Sequence, residues 1–370
     1  MKIKKIGDAS VIMSNPHGKD NYFGWPSIEW LQNRKIAVTA SGYRYAHICP
    51  FGKAVISYSE DEGDSYTVPA PVINTPLDDR DAGILAYGEK NVIITSFNNA
   101  VRFQRDFAER MITSGGVNAK VGNYTVKYLD TVTPEEESKY LGSEFRISHD
   151  CGVTFGDIHI SPITSPHGPC ELNDGSILWV GRMFDEMDNS GKTNDEIRAY
   201  KINSDGSMEY LSSIDNIKIN GMNTLSCEPH AIQLKNGDII CHIRVQENGL
   251  FTIFQSESRD SGRSWNTPHQ ILEDKGGAPA HLLLHSSGVL ISTYGYREEP
   301  YGIKAMFSKD NGESWQTGYD IYINGLNDDL GYPCSIELVD GSILTVFYAH
   351  ERNDGPAVIM QQKWSFEDEV

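Results

Sequence analysis

Short apolar stretches separated by polar turns recur along almost the whole chain. After the Asn-Gly or Asp-Gly turns at 236–237, 340–341 and 174–175, the chain continues as a run dominated by isoleucine, leucine and valine. Short apolar runs bounded by glycine-containing turns are typical of antiparallel β-strands joined by hairpins. The pattern therefore predicts a series of antiparallel β-meanders.

Two repeats give these meanders a common register. One has the pattern Ser-x-Asp-x-Gly-x-Ser/Thr-aromatic and occurs at 59–66, 148–155, 258–265 and 308–315. In such a turn the Asp and Ser side chains bond the backbone amides, glycine supplies the positive φ, and the aromatic ring packs beneath a neighbouring strand. The other is an X-Pro step that opens an apolar strand at 25–26, 228–229, 278–279 and 332–333.

The repeats divide the 370 residues into six units that start near positions 22, 79, 165, 226, 277 and 330. Six meanders of four short strands predict an all-β fold, a six-bladed β-propeller with few exposed edges. Seven blades is the alternative. We expect one domain over residues 1–370, with residues 9–13 as the outer strand of the last blade beside its third strand at 357–360.

The second unit is longer than the others because it contains an insertion at about 98–146. Within it, Thr133 and Pro134 followed by three glutamates predict a helix with an N-cap and a proline at its first position, and Gly142 is placed to end it. A loop of this length on a propeller is either functional, for instance as a lid, or a packing decoration.

Charge and cysteine content narrow the class of ligand and compartment. The formal net charge of −19 argues against nucleic-acid and anionic-membrane partners, although a local cluster of arginines can reverse the potential in one cleft. The six cysteines include no CxxC pair, which argues against zinc, redox and disulfide frameworks. No required cofactor or catalytic metal is predicted, and a structural Ca²⁺ held by axial oxygens is compatible with the sequence.

The N-terminal residues 1–8 are basic but lack the apolar run of a signal peptide. This predicts a cytoplasmic protein; removal of a signal peptide from a longer precursor would make it secreted instead.

Arginines recur at one position of the repeat. Arg182, Arg244 and Tyr348 each lie seven residues after a turn glycine, and Arg44 and Arg297 end the corresponding strands of the first and fifth units. Equivalent strands reach equivalent heights in a propeller, so these arginines are predicted to converge on one rim and to supply bidentate donors for a carboxylate.

Candidate catalytic groups lie near the same rim. Glu228 and Tyr332 share the position before proline, where a carboxylate can take the proton of a phenol as it attacks. Asp79, Arg80 and Asp81 open the second unit, where the acids are candidate proton donors, arginine-orienting partners or cation ligands, and Arg80 a substrate-binding residue.

Histidines form a further group of candidates, in predicted inner strands or loops, and comprise His47, His167, His230 and His281. His47 is distinguished by its place between Arg44 and an irregular segment, 49–53, with no obvious strand pattern. We expect it to be catalytic, and the other three to contact substrate.

The turn motif and these side chains resemble the sialidase superfamily, whose members carry such motifs, called Asp boxes, on a six-bladed propeller. The resemblance implies that Arg244 and Arg297 clamp a substrate carboxylate and that Tyr332 and Glu228 form the nucleophilic pair. The chain departs from the family at 23–26, where the first arginine is absent, and at 44–47, where an acidic residue is expected.

In this departure the chain looks similar to sialidase-related propellers that act on rhamnosyl-glucuronate glycans. That resemblance implies that His47 is the acid/base and that Arg44 and Arg244 neutralise a uronate. The sequence thus predicts an exo-acting enzyme that cleaves a glycosidic bond next to an acidic sugar by hydrolysis or elimination. A non-catalytic carbohydrate-binding propeller and a protein-interaction scaffold are the alternatives.

Overall fold

The computed structural model describes residues 1–184, 196–247, 249–273, 276–353 and 355–368. Six antiparallel sheets, numbered here as blades I to VI in chain order, form the propeller. No helix in these described ranges is both long and apolar enough to cross a membrane. The predicted six-bladed all-β fold is confirmed.

The strands of blades I, II, IV and V pair in chain order, and in blade VI the outer strand comes from the start of the chain. The chain begins with β1 (Lys2–Met13). Blade I contains β2 (Tyr22–Trp30), β3 (Ile36–Arg44), β4 (Lys53–Ser59) and β5 (Ala70–Ile73). Blade II contains β6 (Ile84–Tyr87), β7 (Asn91–Phe97), β8 (Ser143–Ser148) and β9 (His159–Ser161). Blade III contains β10 (Ile163–Thr164), β11 (Cys170–Glu171), β12 (Ile177–Met183), β13 (Ile197–Ile202) and β14 (Met208–Ile214). In blade III both β10 and β11 pair with β12.

Between blades III and IV the chain forms a two-stranded ribbon of β15 (Lys218–Ile219) and β16 (Met222–Asn223). Blade IV contains β17 (Leu225–Gln233), β18 (Ile239–Glu247), β19 (Leu250–Ser258) and β20 (His269–Gln270). Blade V contains β21 (Gly277–Leu284), β22 (Leu290–Tyr296), β23 (Gly302–Ser308) and β24 (Gln316–Tyr322). Blade VI contains β25 (Gly331–Glu337), β26 (Ile343–His350) and β27 (Ala357–Glu367), and β1 is its outer strand.

Closure of the ring uses the first strand of the chain, as predicted. β1 pairs antiparallel with β27, and Val11 lies opposite Met360 in the register. The outer strand of blade VI is therefore supplied by the N-terminal residues, which joins the two ends of the chain in one sheet. Apolar residues of neighbouring blades form the core, including a cluster that joins blades I and VI through Phe23, Val38 and Val346.

The Asp-box turns connect the third and fourth strands of blades I, II, IV and V. In the first box Asp61 accepts from the Ser65 backbone amide at 2.8 Å and from its hydroxyl at 2.5 Å, and Ser59 Oγ accepts from the Gly63 amide at 2.9 Å. The aromatic residue reaches the preceding blade: Trp315 Nε1 of blade V donates to Gln255 Oε1 of blade IV at 2.8 Å. Each box therefore closes its own turn and joins two blades.

The insertion in blade II lies between β7 and β8 and contains α1 (Val101–Ser114), α2 (Gly116–Leu129) and α3 (Pro134–Tyr140). The predicted N-cap is confirmed, because Thr133 Oγ1 accepts from the Glu136 amide at 3.2 Å and Glu136 accepts from the Thr133 amide at 3.0 Å. The helix ends at Tyr140, just before Gly142.

Candidate functional site at the propeller axis

Four residues occupy the same strained position at the start of the first strand in four different blades. Trp25, Asp81, Glu228 and Tyr332 all have positive φ, between 46° and 56°, a region that non-glycine residues rarely adopt. In blades I, IV and VI the residue lies in a shift of register between the first and second strands. Such bulges re-aim a side chain, and backbone strain of this kind is concentrated at functional sites.

Tyr332 and Glu228 meet across the axis although they come from blades VI and IV. The Tyr332 hydroxyl donates to Glu228 Oε1 at 2.5 Å, and Arg244 Nη1 donates to Glu228 Oε2 at 2.7 Å and to the Tyr332 oxygen at 3.3 Å. Burial raises the pKa of Tyr332 well above its ordinary value, and the Glu228 charge raises it further. The phenol therefore stays protonated at rest, with a carboxylate in place to remove its proton.

Two further arginines border this pair. Arg297 donates through Nε to the Leu330 carbonyl at 3.2 Å, and its guanidinium lies 5.8 Å from the Tyr332 ring. Within the described ranges it forms no ion pair. Arg80 lies 4.1 Å above the ring of Trp25 and 3.5 Å from Asp78. Arg80 of blade II therefore lies over Trp25. Trp25 belongs to the segment 23–26, where the sequence lacks the arginine expected in the first blade.

Arg44 has a different place from the one predicted. Its side chain is fully buried and donates to Ser41 Oγ at 2.7 Å, to the His47 carbonyl at 2.8 Å and to Asp78. A guanidinium engaged in this way supports the loop that carries His47 and is not presented to a sugar carboxylate. Arg182, which was also predicted to lie at the rim, lines a cavity together with Glu228.

His47 belongs to a network that sequence reasoning missed. Its Nδ1 lies 3.0 Å from the Tyr22 hydroxyl and 3.3 Å from Asp329, and Asp329 also binds His350 Nε2 at 2.9 Å and the Tyr348 hydroxyl at 3.2 Å. Although burial acts to raise the pKa of Asp329, hydrogen bonds from His350 and His47 hold it well below its usual range. Asp329 is thus an anion that orients several rings.

The other face of His47 contacts a cation. Its Nε2 lies 3.3 Å from Arg80 Nη2. Burial lowers the pKa of His47 despite the opposing hydrogen bond to Asp329, and the charge of Arg80 lowers it further. The ring is consequently held neutral near physiological pH and faces the cleft in a fixed orientation.

Asp81 is the acidic group with the clearest proton-donor character. Burial raises its pKa from 3.8 to about 7, the Arg80 charge opposes this, and the Glu228 charge adds to it. Asp81, Glu228 and Arg244 line one end of a cavity of about 400 Å³. A carboxyl that titrates near neutrality beside an ionised partner is suited to general acid catalysis.

The three remaining predicted histidines form a buried cluster. The rings of His230 and His281 stack at 4.3 Å, and His167 meets His281 edge-on at 5.1 Å. His230 accepts from the Leu282 amide at 2.9 Å, and His281 from the Ser335 amide at 3.3 Å. Burial lowers the pKa of each, so these neutral rings join the first strands of neighbouring blades. This placement favours a structural role over the predicted substrate contact.

A larger cavity, of about 710 Å³, lies between the Asp boxes of blades IV and V and is lined in part by Trp265 and His269. None of the described residues that line this larger cavity is a predicted site residue. The four strained residues contact one another or the side chains of Arg80, Arg244 and Arg297 at the propeller axis, and this group is therefore the candidate site.

Comparison with known proteins places the chain by family and by fold. The family model described as a BNR repeat-like domain matches residues 136–345. No curated protein matches the sequence. A protein of unknown function from Dyadobacter fermentans has the same fold with a TM-score of 0.77 and 18% identity, over 99% of both chains.

Two enzymes have similar structures. The NanB sialidase of Streptococcus pneumoniae superposes with a TM-score of 0.66 and 12% identity, over 96% of this chain and 70% of that one. The α-L-arabinofuranosidase Arb93A of Fusarium graminearum gives 0.62 and 11%, over 97% and 98%. At these identities the likeness establishes the propeller fold, which glycoside hydrolases of both kinds use. Because the family model covers more than half of the sequence, the chain belongs to the BNR repeat-like domain family and has the six-bladed propeller fold of the sialidases.

Proposed function

We propose that this protein is an exo-acting glycoside hydrolase that removes a terminal carboxylate-bearing sugar. The observation that carries the proposal is the Tyr332 hydroxyl, 2.5 Å from Glu228, with Arg244 bonded to both. Tyr332 is only 6% exposed. A nucleophile at this depth is accessible to the end of a glycan chain rather than to its interior.

Tyrosine suits a negatively charged substrate. An Asp or Glu nucleophile would repel a neighbouring sugar carboxylate, whereas a phenol is neutral until it attacks. In the first step Tyr332 Oη bonds to the anomeric carbon, its proton passes to Glu228, and the glycosidic oxygen leaves with a proton from an acid. Water then releases the sugar from Tyr332 by the reverse proton transfers, which gives retention of configuration.

The sugar carboxylate has partners in Arg297, Arg80 and Arg244. Guanidinium groups bind carboxylates through paired N–H donors, and three of them offset the net repulsion of a strongly acidic chain. Asp81 is the proposed proton donor to the leaving oxygen. Its pKa of about 7 leaves a substantial protonated fraction at neutral pH.

The test is hydrolysis of a panel of sialosides and glucuronides, with the anomeric form of the first product followed by proton NMR. We expect one acidic class to be cleaved with retention. Tyr332→Phe should reduce kcat by at least about 100-fold, and an intact melting temperature would show that the fold survives. Cleavage at the wild-type rate by Tyr332→Phe would exclude this nucleophile.

A second candidate, elimination from a uronate, is favoured by one observation. His47 has Tyr22 and Asp329 on one nitrogen and Arg80 on the other, the arrangement of a positioned base beside a carboxylate-neutralising cation. Elimination yields an unsaturated uronate that absorbs ultraviolet light, and hydrolysis does not.

The two variants separate these reactions. If the enzyme is a lyase, His47→Ala abolishes turnover and Tyr332→Phe weakens it; a hydrolase shows the reverse order. If no glycan yields product but one raises the melting temperature, a non-catalytic carbohydrate-binding propeller is supported instead.

A further inference from the structure

The loop that carries His47 comprises residues 45–52 and contains no β-strand. Arg44 and Arg80 hold its inner side, because both donate to the His47 carbonyl, at 2.8 Å and 3.1 Å. Without strand pairing, a loop keeps its place through the side chains that pack against it. The position of His47 therefore depends also on what contacts the outer side of this loop.

Helix α2 of the insertion contacts that outer side. Tyr124 and Tyr128 are four residues apart and therefore lie on one face of the helix. Phe51 of the loop stacks on Tyr124 with ring centroids 5.0 Å apart, and the Phe51 and Tyr128 rings are 4.7 Å apart. Tyr45 meets Tyr124 edge-on at 5.9 Å. These separations are typical of favourable aromatic pairs, and the four rings form an aromatic cluster between the loop and the insertion.

The same helix contacts the segment that anchors the two arginines. Asp78 is fully buried and pairs with Arg44 and, at 3.5 Å, with Arg80. The Tyr128 hydroxyl donates to the Pro76 carbonyl, two residues before Asp78, at 3.0 Å. One face of α2 therefore contacts both the outside of the loop and the segment that fixes its inside.

The insertion is attached firmly enough to support the loop. Gly122 of α2 packs so closely on α1 that a Cβ atom there would lie 2.5 Å from the Ala108 carbonyl oxygen. At the base of the insertion Asn98 donates to the Tyr140 carbonyl at 2.6 Å and accepts from the Gly142 amide at 3.0 Å, which ties the two ends of the insertion together. The tyrosine-bearing face of α2 is therefore presented by a braced pair of helices.

The loop has little room to move inward. A Cβ atom on Gly52 would lie 2.0 Å from Arg44 Nη1, so the loop backbone rests directly on this guanidinium. We propose that the aromatic cluster positions His47. By holding the loop on the guanidinium, α2 keeps the His47 ring between Asp329 and Arg80. The effect on the His47 ring follows from these contacts alone, whereas its consequence for turnover rests on the proposed function.

The direct test follows the His47 ring by NMR in the full chain labelled with ¹³C at histidine Cε1. The chain has 11 histidines, and the signal that is absent from His47→Gln belongs to His47. Tyr124→Ala and Phe51→Ala should each broaden this signal at least about twofold through microsecond-to-millisecond exchange, measured by relaxation dispersion. The His350 signal should keep its line width, because His350 binds Asp329 from β26 and not from the loop.

Tyr210→Ala is the matched control, since Tyr210 is 52% exposed, like Tyr124 at 53%, and also belongs to an aromatic pair, in blade III. It should leave the His47 signal unchanged. Phe51→Tyr retains the ring and should keep the parent line width. Tyr124→Ala, at an exposed position, maintains the test if Phe51→Ala does not fold. A His47 signal that stays sharp in Tyr124→Ala, or equal broadening of His47 and His350, would overturn the positioning role.

Kinetics connect this geometry to the reaction. On a glycan that the parent protein cleaves, Phe51→Ala should lower kcat about tenfold, since a small displacement of a catalytic group slows the chemical step. KM should change less, because Arg244 and Arg297 come from blades IV and V. Adding Tyr124→Ala should lower kcat no further, since both substitutions remove the same contact. An unchanged kcat would overturn the role in turnover. If no tested glycan is cleaved, the proposed function is lost and the NMR test still decides whether the cluster positions His47.

Discussion

The rim and the axis of this propeller use repetition in opposite ways. At the rim, four Asp-box turns repeat the same residues and the same bonds; Asp61 and Asp260 each accept from the backbone amide and hydroxyl of the serine four residues later. At the axis, four blades repeat only a backbone geometry, and the residue it holds changes from Trp25 to Tyr332. Repeated residues maintain the fold, whereas different residues on one repeated backbone position assemble a composite site.

Aspartates show the same contrast in their ionisation. At the rim, the hydrogen bonds from Ser65 lower the pKa of Asp61 to about 2, so it is a permanent anion. At the axis, burial raises the pKa of Asp81 to about 7. One residue type thus serves as a turn acceptor where donors surround it and as a proton source where water is excluded.

The largest expected difference between a substitution at the axis and one at the rim comes from disrupting the Tyr332–Glu228 pair. Glu228→Gln should lower kcat by about 100-fold to 10,000-fold, because an amide cannot take the phenol proton. The melting temperature should change by a few degrees at most. Steady-state kinetics and differential scanning fluorimetry on the same sample check both. Retained kcat would mean that Glu228 only orients Tyr332.

Removing one cation tests the electrostatic part of the axial site. Arg297→Ala should weaken binding of an acidic substrate by about 10-fold to 100-fold, the order expected for hydrogen bonds to a charged group. The methyl ester of the same sugar is the control and should lose little. Titration calorimetry of both ligands gives the comparison, and equal losses would show that Arg297 does not bind the carboxylate.

The pH profile tests the contrast between the two kinds of aspartate. If Asp81 must be protonated to act, kcat falls as pH rises through about 7. Asp81→Asn should remove this alkaline limb and slow substrates with poor leaving groups, while glycosides of acidic phenols remain good substrates. A profile that Asp81→Asn leaves unchanged would assign the proton to another group, with His47 the next candidate.

The same contrast explains what the sequence could predict. Asp boxes, the Thr133 cap and the closing strand β1 depend on local patterns or on residues repeated in register, so each is visible along the chain. Glu228 and Tyr332 were found because both stand before a proline in the repeat. Asp329 and Tyr22 were missed because each lies outside the shared register, although the adjacent acids at 328–329 just before β25 were a usable signal.

Two other outcomes have physical causes that a repeat does not reveal. Arg44 ends its strand at the predicted height, but strand height does not specify whether a side chain faces the cleft or the interior, and Asp78 draws it inward. The first two insertion helices lacked the signal that identified α3, because the N-cap residues of α1 and α2, Ala100 and Gly115, make no side-chain cap.

The buried carboxyl groups of Glu144 and Asp79 give a smaller, pH-dependent effect on stability. Burial raises the pKa of Glu144 from 4.5 to about 9, and the charge of Asp79 and a hydrogen bond between the two carboxyl groups raise it further. Between about pH 4.5 and pH 9, Glu144 keeps a proton in the folded state that it has lost in the unfolded chain. Stability from this group is therefore full below about pH 4.5 and is lost as pH rises toward 9.

Glu144→Gln should reduce that dependence and raise stability at pH 8 relative to pH 5 by at least about 1 kcal/mol, while Asp79, whose pKa burial also raises, keeps the remainder. Urea unfolding of both proteins at the two pH values measures it. An unchanged difference between the two pH values would show that Glu144 is ionised in the folded protein.

The smallest effect lies at the rim, where each Asp box is one of four. Asp260 accepts from the Ser264 amide at 2.8 Å and from its hydroxyl at 2.6 Å in an exposed turn. Asp260→Ala should lower the free energy of unfolding by about 1 kcal/mol, with kcat and KM unchanged, because the lost bonds are replaced in part by water. Asp64→Ala is the matched control: it removes a negative charge from the equivalent kind of turn, but the Asp64 side chain makes no hydrogen bond among the described residues. If both variants lose stability equally, the rim depends on charge rather than on the turn bonds, and the distinction between a bonded rim aspartate and a titrating axial one fails.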